Sequence, residues 1–152
     1  IRRCIILTVL ALSTGCASKG GDNMQAANVP LPDDKSVTVA EGAPQNCARF
    51  GGIWGEGRWD NKLAHKLIVR EVKKDCSATV IYAHGRAPEW GINEPDWNKH
   101  KGRIEGDTLK LMQFANGANV RYQMASQNRL RGEYLTDRGV SSVSLERLKG
   151  DN

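Results

Sequence analysis

The 152-residue sequence predicts an all-β fold: a small antiparallel up-and-down β-barrel of about eight strands, preceded by a targeting signal and a flexible tether. Three observations carry that prediction. From Cys47 onward apolar residues recur with a period of two, as in ANVRYQMA, where Val120, Tyr122 and Met124 share one face and Asn119, Arg121 and Gln123 the other. The runs are short and separated by hairpin-like punctuation: KKDCS, EGD, ANGAN, SQN and TDRG. No segment repeats apolar residues at the three- and four-residue spacing of an amphipathic helix.

The first residues stand apart from that domain. Arg2 and Arg3 form a basic start, CIILTVLAL is an apolar run too short to span a bilayer as a finished helix, and LSTGC follows at once. This ending resembles the lipobox of bacterial lipoproteins. The resemblance implies a signal peptide over residues 1–15, with Leu12 as the lipobox leucine, Gly15 as the small residue before the cut and Cys16 as the acylated residue. It also implies, from Ala17 and Ser18 with no aspartate after the cysteine, an outer-membrane anchor facing the periplasm. Several acyl chains on one residue anchor stably where a single chain would be reversible, so the membrane is an expected partner through lipid alone.

With Cys4 removed in the signal and Cys16 acylated, two thiols remain in an oxidising compartment, Cys47 and Cys76. They are expected to pair, the alternatives being free thiols or a two-cysteine metal site. Residues 16–46 comprise the lipidated cysteine and a linker rich in Gly, Asn, Ala, Pro, Asp and Ser, which reads as a flexible tether. SVTVA within it is taken as extended linker rather than strand. The barrel domain covers residues 47–150.

Strands are expected at residues 50–54, 63–72, 78–83, 101–104, 108–114, 118–125, 128–135 and 140–148. In a meander, successive turns alternate between the two ends of the barrel. Cys47, before the first run, and Cys76, between the second and third, then share one end, as a disulfide requires. The opposite end gathers Trp59, a long segment over residues 84–99, Asn116, Gly117 and Asp137. Three of the four tryptophans would meet there.

FGGIW at the start and SLERL at the end of this domain resemble the lipocalin and wider calycin pattern. That pattern has a Gly-x-Trp on the first strand and an arginine near the end of the last strand, packed over the tryptophan. Gly52, Trp54 and Arg147 occupy the matching positions. The resemblance implies a calycin-like barrel closed by pairing of its last strand with its first.

The tryptophan-bearing mouth is the candidate site. Trp90 and Trp97 either plug the barrel end or, with Trp59, Tyr82 and His84, form an aromatic platform on which a ring can stack. Glu89 and Asn93, with Glu94 and Asp96 nearby, would accept hydrogen bonds from ligand hydroxyls. The expected ligand is a small apolar or carbohydrate-like molecule. His65, His84 and His100 have no tight ligand spacing, so no metal or other cofactor is expected. No catalytic motif is present, neither a Gly-x-Ser-x-Gly elbow nor a His/Glu zinc signature, and no enzymatic activity is assigned.

Charge narrows the partners. The chain carries 22 basic residues against 17 acidic, and losing Arg2 and Arg3 with the signal leaves 20 against 17. That scattered excess lacks the clustered cations and interleaved aromatics of a nucleic-acid binder. The alternative function is an envelope protein-binding or structural lipoprotein, an inhibitor or assembly partner with a filled barrel. Small lipoprotein barrels that inhibit lysozyme resemble this chain in size, anchor and disulfide, but their cationic targets would be repelled by a basic body.

Overall fold

A computed structural model describes residues 28–150; the expected signal peptide, Cys16 and the first part of the linker lie outside the described residues. Eight antiparallel strands form the barrel: β2 (Gly52–Trp59), β3 (Leu63–Val72), β4 (Ser77–His84), β5 (Asp96–Glu105), β6 (Thr108–Leu111), β7 (Asn119–Ser126), β8 (Arg129–Thr136) and β9 (Gly139–Leu148). Each pairs with its sequence neighbour, and β9 pairs with β2 through Ile53↔Leu148, Trp54↔Arg147 and Gly55↔Glu146. The sheet is therefore closed, which satisfies the backbone groups that an open edge would expose. A two-residue strand, β1 (Thr38–Val39), lies parallel to the end of β3, and a single helical turn, α1 (Gln45–Ala48), precedes β2.

Three strands differ from expectation for identifiable reasons. The first continues to Trp59 because a bulge between Trp54 and Gly57, with Glu56 at φ 60°, absorbs the break in alternation that GEG presents. The sixth stops at Leu111, and the chain from Met112 to Ala118 loops so that Phe114 turns back toward the barrel. The fifth begins at Asp96, five residues before the expected run. DWNKHKGRIE shows no apolar alternation because Asn98 and His100, on its inner face, border a cavity rather than packed core.

The linker also departs from expectation within the described part. Val29 and Leu31 pack on Ala64 and Ala83 of the outer barrel face, and Asp34 pairs with Arg70. SVTVA supplies β1, which takes Glu71 and Val72 of β3 as partners just beyond the last pair that β2 makes, Gly52↔Val69. From Val29 onward the segment is thus laid along the sheet instead of hanging free. Buried Ala64 and Ala83, small and outward-facing, give its apolar side chains a seat.

One end of the barrel is sealed. Cys47 on α1 and Cys76 in the β3–β4 turn are bonded, with Cα atoms 5.6 Å apart. Phe50 and Trp54 are fully buried above them, and the Trp54 indole N–H donates to the Phe50 carbonyl at 3.0 Å. The Arg147 guanidinium sits 4.1 Å from the Trp54 ring centroid. It donates to the carbonyls of Gly51, Arg49 and Gln127, at 2.9, 2.6 and 3.2 Å, so that it ties the approach to β2 to the β7–β8 turn. Gly52 has φ 148°, and a Cβ there would stand 2.7 Å from Arg147 Nη1, so a side chain would push the guanidinium off its carbonyls.

The cystine closes a loop across 29 positions. Replacing both cysteines by serine is expected to lower the unfolding free energy by roughly 3 to 4 kcal/mol in a chain-entropy account, read from urea denaturation midpoints. The far-ultraviolet spectrum of the double variant is expected to remain that of a barrel under native conditions.

Candidate functional site

The end opposite the cystine is built by the turn after β2, the loops after β4 and β6, and the turn after β8. This is the distribution that alternating turns predict. It opens onto a cavity of about 670 Å³, within the range of small-molecule sites. Trp59, at the end of β2, and Tyr82, near the end of β4, face it from adjoining parts of the wall; Phe114, Tyr134, Leu63 and Ile92 complete its apolar lining. The aromatic rings meet mostly edge to face: Tyr82–Phe114 at 5.2 Å and 90°, Phe114–Tyr134 at 5.9 Å and 80°, Trp59–Tyr134 at 5.9 Å and 71°. His100 stacks on Phe114 at 4.2 Å.

Behind Trp59 and Tyr82 lies His65, 1% exposed. Its Nδ1–H donates to the Ala83 carbonyl at 2.7 Å, which leaves Nε2 as an acceptor for the Tyr122 hydroxyl at 2.8 Å. Both nitrogens are satisfied only in the neutral ring. Burial pushes the imidazole down to about 3, against a weaker upward pull from the Ala83 carbonyl, and pushes the Tyr122 phenol far up. Gly132 makes room for this arrangement, since a Cβ there would stand 2.9 Å from the Tyr122 ring. Burial also raises Tyr82, with Tyr134 adding to the shift; the nearby Trp59 indole opposes it without reaching hydrogen-bond geometry. His100 is lowered by partial burial.

Of the residues expected at the mouth, Trp59, Tyr82, His84 and Trp90 line the cavity. His84 donates through Nδ1 to the Gly85 carbonyl at 2.8 Å. Glu89, Asn93 and Trp97 do not line it. Because β5 starts at Asp96, opposite His84, the mouth loop is short, and Trp97 pairs with Ala83 on the strand face opposite Asn98 and His100, 37% exposed. Glu89 turns outward to Lys62, 3.6 Å away, and Asn93 is exposed. Neither Trp90 nor Trp97 plugs the barrel. The loop is anchored instead by buried Ala87 and half-buried Ile92, whose backbones bond reciprocally at 2.8 and 3.1 Å. Trp90 remains at the rim, with the Lys62 ammonium 5.8 Å from its ring centroid.

Sequence reasoning missed Phe114, Tyr134, His100 and Asn116 as lining residues. Tyr134 was within reach: it lies on the inner face of β8 and near the strand end that alternation assigns to the mouth. Phe114 was not, because its approach depends on a loop conformation held by hydrogen bonds between Phe114 and Ala118 and between Asn116 and Tyr134.

No protein-family model matches the chain, and no curated protein matches it. Among solved structures, a redesigned β-barrel superposes with a TM-score of 0.52 at 12% identity, covering 69% of this chain and 96% of that one. That likeness concerns the fold alone.

The depressed His65 pKa sets a sign for pH dependence. The unfolded chain takes up a proton on this histidine near pH 6.5, whereas the folded chain does so only near 3. Stability from this residue is present above pH 6.5 and is lost as pH falls toward 3, at up to about 1.4 kcal/mol per pH unit. Urea midpoints at pH 7.5 and 5 are expected to fall for the native chain and to fall less for His65→Gln.

Proposed function

We propose that this chain is an outer-membrane-anchored periplasmic lipoprotein whose barrel mouth binds a small, largely apolar, ring-bearing molecule. The observation that carries the binding reading is the cavity: about 670 Å³, open at one end and walled by Trp59, Tyr82, Phe114 and Tyr134. Aromatic walls supply apolar contact area with little conformational entropy to lose. The carbohydrate-like option has less support, because Glu89, Asn93, Glu94 and Asp96, the groups suited to a sugar's hydroxyls, lie outside the cavity. The cavity likewise counts against a filled barrel serving only as a protein-binding body. The anchor reading rests on LSTGC and Cys16.

Binding is tested with N-phenyl-1-naphthylamine, whose emission rises in apolar surroundings, on the mature chain carrying Cys16→Ser so that no acyl chain competes. Saturable binding is expected. Ser141→Phe, which places a ring in the mouth, is expected to weaken it at least about tenfold with thermal stability preserved; failure of the dye to saturate would sink the reading. Trp90→Ala is expected to weaken the same titration, and Trp97→Ala to leave it unchanged. Radiolabelled palmitate fed to expressing cells is expected to label the native chain and not Cys16→Ser.

A further inference from the structure

One polar group in the cavity wall lacks what its neighbours have. Trp59 is 2% exposed, and its indole Nε1 has no hydrogen-bond partner among the described residues. The polar side chains around it are matched: His65 through both nitrogens, Tyr122 through His65, and Tyr134 through the Asn116 amide at 2.7 Å. Buried donors are satisfied in the great majority of cases, and an indole N–H can only donate. A phenylalanine would fill the same wall without that cost. A tryptophan here therefore points to an acceptor delivered from the cavity side.

The neighbouring polar groups favour the same kind of guest. The Tyr134 hydroxyl accepts from Asn116, which leaves its own proton free to donate into the cavity. Burial holds the Tyr82 phenol protonated beside Trp59, as a further O–H. Among the described residues no carboxylate lines the cavity, so nothing there would offset the desolvation of a cationic guest. Phe114, braced edge-on by Tyr82 and Tyr134 and face-on by His100, offers a rigid surface for a ring.

We propose that the cavity selects aromatic molecules carrying an oxygen acceptor, a carbonyl or a carboxylate, which receives the Trp59 indole N–H while the ring lies against Phe114. Trp59 is thereby a specificity-determining residue. This inference rests on the cavity being a ligand site, and its test separates the two ideas.

Three probes of similar shape are titrated calorimetrically into the mature chain carrying Cys16→Ser: 2-acetylnaphthalene, 2-naphthoate and 2-isopropylnaphthalene. At least one of the two oxygenated probes is expected to bind about fivefold to tenfold tighter than the hydrocarbon, the size of one neutral or charge-assisted hydrogen bond. Preference for the ketone or for the carboxylate identifies which acceptor the donors serve. Trp59→Phe is expected to abolish the difference while the hydrocarbon's affinity stays within about twofold. Equal binding of all three probes to the native chain, or a preference that survives Trp59→Phe, overturns the selection and leaves the cavity reading standing; binding of none overturns both. Should Trp59→Phe fail to fold, the Trp59 indole proton resonance of the native chain decides. A downfield shift with the preferred oxygenated probe and none with the hydrocarbon supports the assignment, and its absence overturns it.

Discussion

Everything at the open end depends on how the barrel is shut at the other. The Arg147 guanidinium lies on the fully buried Trp54 ring and bonds three backbone carbonyls, joining the approach to the first barrel strand to a turn two strands before the last. A cation over an indole face is attracted by the ring quadrupole, and the guanidinium's fork of donors lets it hold several carbonyls at once. With the Cys47–Cys76 bond beside it, this end has little freedom to splay. A closed sheet pinned at one end holds the strand ends at the other in register, and the cavity inherits its shape from them.

The interior changes character along the barrel axis. Toward the sealed end Trp54, Phe50, Leu67 and Leu145 fill the space as close-packed apolar core. Toward the mouth the inward positions of β5 become Asn98 and His100, and the packing gives way to rings that touch by their edges. His65 and Tyr122 stand at the transition. Their hydrogen bonds let two polar side chains be buried at small cost, and the neutral imidazole keeps charge away from the back of the aromatic wall. A protonated ring at that position would lose its bond from Tyr122 and set a bare charge behind Trp59 and Tyr82.

The described part of the linker adds an outer layer. Val29 and Leu31 cover Ala64 and Ala83, and Asp34 meets Arg70, so the chain reaches the barrel along the β3–β4 face. Trp97 lies exposed on the neighbouring strand, paired with Ala83. The tryptophan expected to cap the mouth therefore belongs to the outside of the barrel.

Strand number, order, closure, the cystine and the assignment of turns to ends followed from the sequence alone. Each depends on local periodicity or on chain connectivity, and a period-two pattern with tight turns leaves few ways to join consecutive strands. The stacking of Arg147 on Trp54 was likewise expected from a resemblance confined to three residues. What the sequence could not determine is which mouth residues face inward and what they enclose. DWNKHKGRIE reads as a loop because a strand beside a cavity loses the apolar alternation that marks one beside a core, and that misreading displaced Trp97, Glu89 and Asn93 into the site. Phe114 enters it only through a loop conformation, and the Trp59 indole lacks a partner only because of where distant strands bring Tyr82 and Tyr134. Those facts arise from packing between residues far apart in the chain, so only the tertiary structure decides them.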